Sequence, residues 1–168
     1  ALGPGGAPFW KAGANEPGAR LIVGVHAASF LIGKGGKRVK LLQEDSGAKI
    51  RFREGREAHG VVSGDERLVE MYGAAEELED GLYVVLSELD RIPEALAPRV
   101  LRQLVPEDVA GQAAEEAIRA GAHVEIAAAT LPVSAEVVLE IQGSVGARIH
   151  AAVLVAALVA RRRFSSLT

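Results

Sequence analysis

The chain has no cysteine among its 168 residues, which removes disulfides, thiolate metal sites and cysteine nucleophiles together. Aromatic residues make up 4%, so any core must be aliphatic, drawn from the 49% of residues that are hydrophobic. Four histidines, His26, His59, His123 and His150, show no H-E-x-x-H spacing and read as surface or strand residues, not as ligands. No apolar run approaches the roughly 20 residues that a membrane-spanning helix needs. The longest, Ala151 to Ala160, reads as a helix face, broader than a single buried stripe requires, so a partner is expected to cover part of it. An initiator methionine and a signal-peptide pattern are both missing, which reads as a region of an intracellular protein, nuclear or cytoplasmic, with no membrane association.

Enzymatic signatures are missing as well. Gly33-Lys34-Gly35-Gly36-Lys37 has neither the spacing nor the hydroxyl of a phosphate-binding P-loop. No Ser-His-Asp order and no carboxylate pair converges on a glycine turn, and Glu76, Glu77, Glu79 and Asp80 read as a solvated helix face. The expectation is a protein without catalytic activity, metal or cofactor.

Nor is there an overall excess of positive charge, since the net charge is −3. Divided along the chain, that total changes meaning. Between Lys34 and Arg56 stand eight Lys/Arg residues against three acids, a local balance of +5. From Glu57 to Asp90 acids dominate, with only Arg67 opposing. Local charge, not the total, governs contact with phosphate.

What the chain does have is a G-x-x-G tetrad in a specific setting. The apolar residues Leu31-Ile32 run into Gly33-Lys34-Gly35-Gly36, and an amphipathic segment follows, with Val39 and Leu42 on one face and Lys37, Arg38 and Lys40 on the other. Glycine lets the backbone turn tightly between two helices. It also leaves N–H groups bare at a helix N-terminus, where a phosphate is well received. Upstream lies the strand-like Arg20-Leu21-Ile22-Val23-Gly24-Val25, and downstream Ser46-Gly47-Ala48-Lys49-Ile50-Arg51-Phe52 supplies a glycine stop and a second strand.

The ordered string I-G-x-x-G-x-x-[IV]-x-x-[IL]-x-x-x-[ST]-G-A-x-I closely resembles a type I KH domain, the single-stranded nucleic-acid-binding fold of the poly(C)-binding and hnRNP K-like proteins. The resemblance implies an α+β fold, a three-stranded antiparallel sheet packed on helices, over residues 19–90. It also implies a loop and groove that hold about four unpaired nucleotides. Carried onto this sequence, Gly33, Lys34, Gly35 and Gly36 form the loop, with Lys34 as its exposed cation, and Lys37, Arg38 and Lys40 form the basic turn behind it. Val23, Gly24, Ile32 and Val39 form the apolar side of the groove. Lys49 and Arg51 share one strand face, with Ile50 on the other, counted more readily as core than as base platform. The implied partner is single-stranded RNA, or single-stranded DNA, with pyrimidine-rich strands suggested, and the implied role is post-transcriptional regulation of mRNA. The alternative is a protein-interaction scaffold whose nucleic-acid affinity is vestigial.

In more detail, strands are expected at Leu21–Val25, Ala48–Phe52 and residues 60–63. A helix opened by Gly64-Asp65 then carries Leu68, Val69, Tyr72, Ala75, Leu82, Val85, Leu86 and Leu89. Residues 1–18 read as a flexible Gly/Pro/Ala-rich segment holding Phe9-Trp10, residues 91–96 as a linker and 165–168 as a tail.

The second half repeats the first. Leu104 to Gly111 aligns with Ile22 to Ser29 at an offset of 82, and Ala120 to Ile126 with Ser46 to Phe52 at 74. Val137 to Gly143 aligns with the third strand and Gly64 at 79. This predicts a second, degenerate KH-like unit over 97–164. The fall from 82 to 74 leaves it eight residues short where the glycine tetrad belongs, with Glu115 and Glu116 in the gap. Its expected role is packing against the first unit or a partner protein. Arg161 to Arg163 are expected to cap its last helix.

Overall fold

The computed structural model describes residues 16–58, 61–127 and 135–167. Its strands are β1 (Ala19–Gly24), β2 (Lys49–Arg53), β3 (Glu66–Tyr72), β4 (Val100–Pro106), β5 (His123–Ile126) and β6 (Glu136–Gln142). Its α-helices are α1 (Val25–Ile32), α2 (Lys37–Ser46), α3 (Ala75–Leu89), α4 (Ala110–Arg119) and α5 (Val145–Leu167). The strands form a single antiparallel sheet in the order β2-β3-β1-β4-β6-β5.

Alternation along the strands divides the sheet between two environments. Leu21, Ile50, Val69, Met71, Val105, Leu139 and Ile141 face the helices and join Leu31, Leu82, Val85, Leu86 and Val155 in one aliphatic core. The opposite face holds a smaller cluster, Ile22, Leu68, Leu104 and Val138, covered by Ala58 and Val61. The aliphatic core and the α+β class expected from composition and motif are both present.

Several element boundaries differ from the sequence reading. The third strand is Glu66–Tyr72, not 60–63, and the helix begins at Ala75 instead of after Gly64. Leu68 and Val69 are therefore strand residues pointing to opposite faces. Gly73, at φ 153, separates strand from helix, and the Glu77 carboxylate accepts from the Ala74 N–H at 2.9 Å to start α3. Val25 opens α1 and does not end β1. Arg161 to Arg163 lie within α5, which continues to Leu167; Arg162 pairs with Asp108 and Arg163 with Glu16. Phe9-Trp10 and most of the 127–135 loop lie outside the described residues.

Correcting the third strand sharpens the internal repeat. Glu66-Arg67-Leu68-Val69-Glu70-Met71-Tyr72-Gly73 corresponds to Glu136-Val137-Val138-Leu139-Glu140-Ile141-Gln142-Gly143, an offset of 70 and not 79. Residues related by the other two offsets occupy matching ladder positions. Leu21 lies opposite Val69 while Gln103 lies opposite Leu139. Ile50 lies opposite Met71 while Val124 lies opposite Ile141.

The two halves do not form separate sheets. Leu21 pairs with Gln103 and Ile22 with Arg102, so β1 and β4 meet at an internal two-fold axis. Ion pairs cross this seam reciprocally. Arg20 reaches Glu136 and Arg102 reaches Glu66, each glutamate being the other's counterpart under the 70-residue offset. Burial pushes the Glu66 carboxyl up, but hydrogen bonds from the Ser63 N–H and from Arg102 outweigh it and hold the group below its ordinary value. Ladder pairing across the seam covers only those two positions. At one end β1 and β4 enclose a cavity of about 250 Å³ lined by Val23, Gly24, Leu86, Leu101 and Arg102 among others. At the other end Pro17, Gly18 and Arg163 help line a far smaller recess of about 10 Å³.

Above the sheet α5 packs against both α3 and α4. Ala151, Ala152, Val155, Ala156, Leu158 and Val159 are buried, so most of its long apolar face is spent within the molecule.

Candidate nucleic-acid interface

The glycine tetrad joins α1 to α2 through a tight turn. Gly33 ends α1 at φ 74, ψ 176, and its N–H donates to the Ser29 carbonyl at 2.9 Å. Lys34 to Gly36 form one 3₁₀ turn, with Gly35 at φ 63 and Gly36 at φ 77. Gly33 and Gly35 are required for different reasons. A Cβ on Gly33 would lie 2.6 Å from the Arg38 Cβ and 2.9 Å from its backbone nitrogen, so close approach as well as φ demands glycine. A Cβ on Gly35 would meet nothing within 4 Å, leaving backbone conformation as the only demand.

Gly36 caps α2 without a side-chain acceptor, and no acid stands in the first turn of that helix. The Lys37 N–H donates to the Lys34 carbonyl, and the positive end of the helix dipole faces no acid of its own first turn. Lys34, Lys37 and Lys40 are exposed around it. None of the three makes an ion pair among the described residues. Arg38 is employed differently. Its guanidinium lies 4.3 Å from the centroid of the Phe30 ring and donates to Glu88 at 2.8 Å, which ties α2 to α1 and α3.

Beside α1 runs a groove of about 250 Å³. Its walls are Val25, Ala28, Ser29 and Ile32 from α1 and Phe52, Glu54 and Arg67 from the β2 and β3 side. Arg67 pairs with Glu54 at 2.8 Å and also donates to the Gly64 and Glu66 carbonyls. Of the residues singled out in the sequence for the apolar side of the groove, the structure puts Ile32 there. Val23 and Gly24 instead line the cavity at the β1–β4 seam, and Val39 packs partly buried against the core. Ile50 is core, 5% exposed, and its N–H donates to the Gln43 side chain at 2.8 Å.

Lys49 and Arg51 are exposed on the sheet face away from the helices, opposite Tyr72 and Glu70, and so do not line the α1 groove. Arg53, next on that face, is held by Glu70 at 2.8 Å, and the hydrogen bond to Glu70 raises its pKa. The groove members absent from the sequence reading are Val25, Ala28, Ser29, Phe52, Glu54 and Arg67. For Phe52 a signal existed, because it alternates with Arg51 and Arg53. Arg67 became legible only once β3 was placed correctly.

The second half has one helix where the first has two. Under the offset of 82 the start of α4 corresponds to α1, and under 74 its end corresponds to the end of α2, so α4 is continuous through the position of the glycine tetrad. Glu115 and Glu116 stand there with no glycine pair.

Two helices joined by a glycine tetrad and set against an antiparallel sheet define a class of α+β module. Residues 18–87 match the family model of the KH domain. Among curated proteins none matches the chain. Among solved structures the chain is similar to one in the crystal structure of the a/eIF2alpha-aDim2p-rRNA complex from Pyrococcus horikoshii OT3. The identity is 16%, the match covers 87% of this chain and 94% of that one, and the TM-score is 0.26. No group of three or more metal-ligating side chains occurs among the described residues, and none of their helices is long and apolar enough to cross a membrane.

Proposed function

We propose that this protein binds single-stranded nucleic acid, RNA in the first instance, through the Gly33–Gly36 turn and the groove beside α1, and that it acts in post-transcriptional regulation of mRNA in the nucleus or cytoplasm. One observation carries the reading: an N-terminus of α2 with no side-chain cap and three lysines that make no ion pair among the described residues stand at the turn, and Ile32, the residue before it, lines a groove that also holds the partly exposed Phe52 ring. Backbone phosphate fits the turn, where Lys34, Lys37 and Lys40 neutralise it. Bases fit the groove, where Ile32 and Phe52 offer apolar surface and the Glu54–Arg67 pair offers an acceptor and donors to base edges. Lys49 and Arg51, on the other sheet face, belong to strand continuing past the β2 edge.

The second half is in this reading a degenerate type I KH copy of a tandem pair. Without the tetrad, and with Glu115 and Glu116 near its place, it contributes packing and little phosphate contact.

The test is fluorescence anisotropy with short C-rich and U-rich single strands. The parent chain is expected to bind with an affinity that falls steeply as salt rises. Lys34→Asp combined with Gly35→Asp should abolish binding while leaving the circular dichroism spectrum unchanged, because both positions are exposed and the strain of a side chain at the positive φ of Gly35 stays local to the turn. A double variant that binds like the parent overturns the loop assignment.

A further inference from the structure

The outer surface of the helix layer carries a second recess, away from the glycine turn. There α3 and α5 flank a cleft of about 360 Å³, with Glu79, Asp80 and Tyr83 on one side and Ile149, His150 and Val153 on the other. These two triplets correspond under the 70-residue offset, so the cleft straddles the internal two-fold axis. The triplets differ in chemistry: one is acidic and aromatic, the other mostly apolar. Ile149 and Val153 are half-buried and form an apolar floor. Tyr83 is 59% exposed at the rim, one of few large apolar side chains left in solvent. Glu79 and Asp80, with Glu76 one turn earlier, make no ion pair among the described residues.

We propose that this cleft docks an amphipathic helical segment of a partner protein, one that presents Lys or Arg beside leucine-sized side chains. The floor and the Tyr83 ring supply the burial that a helix-in-groove contact needs. The unneutralised carboxylates select the charge of the occupant and speed its approach. The same carboxylates repel a phosphate backbone, and a second copy of the chain would bring α3 acids against α3 acids. The site is independent of the glycine turn, so the protein can hold nucleic acid and a basic partner at once.

The probe is a short fluorescein-labelled helical peptide of leucine and lysine, titrated into the full chain and followed by anisotropy and amide chemical shifts. Saturable binding is expected, with shifts centred on Asp80, Tyr83, His150 and Val153. Tyr83→Ala, and separately Glu79→Lys with Asp80→Lys, should each weaken it about tenfold. Glu44→Lys with Asp45→Lys makes the same charge change on α2 and should leave binding within about twofold of the parent. All these positions are exposed, so folding is retained. Equal loss in the α2 variant, shifts elsewhere, displacement of the peptide by single-stranded RNA, or a self-association that Tyr83→Ala dissolves would each overturn the proposal.

Discussion

Gly33 and Gly35 sit two positions apart, yet their environments set different costs for a methyl group. Gly33→Ala meets both a positive φ and the Arg38 Cβ at 2.6 Å. Its expected cost is about 2–4 kcal/mol, combining backbone strain with a forced shift of α2. Gly35→Ala has open space and pays for φ alone, about 1–2 kcal/mol. Urea unfolding of the two variants measures the gap, and equal midpoints would mean that the turn does not have this geometry. Both glycines were legible from spacing. Their unequal roles were not, because the close contact comes from Arg38, whose direction depends on Phe30 and Glu88.

Glu66 makes a prediction at the same scale. Its carboxyl is held below the ordinary 4.5, chiefly through the Ser63 N–H and Arg102 against the opposing pull of burial. A depressed folded value means stabilisation that is complete above 4.5 and lost as pH falls through the folded value. Thermal midpoints of the parent should therefore drop through that acid window. In Glu66→Gln they should start lower at neutral pH and change less on acidification. Parallel curves for the two proteins would show that the seam pair is not the source.

Among elements, α2 does two jobs with adjacent residues. Its lysines face out, whereas Arg38 turns inward to Phe30 and Glu88. Arg38→Ala should lower stability by about 1–2 kcal/mol, the scale of a cation–π contact plus a charged hydrogen bond. Nucleic-acid affinity should fall less than in Lys34→Ala with Lys37→Ala, as paired melting and anisotropy measurements would show. A larger affinity loss for Arg38→Ala would put its guanidinium on phosphate. Charge counting along the sequence could not separate these cations, since all stand within one turn and a half.

The third strand shows why element boundaries were harder to read than the motif. Leu68, Val69, Tyr72 and Ala75 continue a helical period into α3, while residues 66–72 also fit strand alternation at Leu68, Glu70 and Tyr72. Pairing with β1 on one side and β2 on the other decides the matter, and no local pattern contains that information. The α1–turn–α2 unit, by contrast, is specified by residues adjacent in sequence, so its spacing alone sufficed.

For the whole molecule, the sequence suggested a repeat but gave no sign of the join. Composition and offsets describe two similar halves, and nothing in either half announces that β1 will pair with β4. Because the sheet is shared, heat or urea should unfold the chain in one transition, with fluorescence and circular dichroism coinciding. A fragment ending at Asp90 would bare the β1 edge and the α3 flank against which α5 packs. Such a fragment should lose several kcal/mol relative to the full chain and associate through the open edge, as light scattering would record. A fragment as stable as the parent would show that the seam adds nothing.

The seam also imposes an order on synthesis. When the ribosome has finished α3, β1 has its β3 neighbour but still waits for β4, which ends at Pro106 and is itself unsupported until β6 ends at Gln142. At roughly 5–20 residues per second, the nascent chain spends several seconds with β1 exposed along one side. The Gly33–Gly36 turn is complete well before that interval closes, so under the proposed function the binding turn precedes the finished sheet. A nucleic acid held at the turn during those seconds would be present while the rest of the molecule assembles.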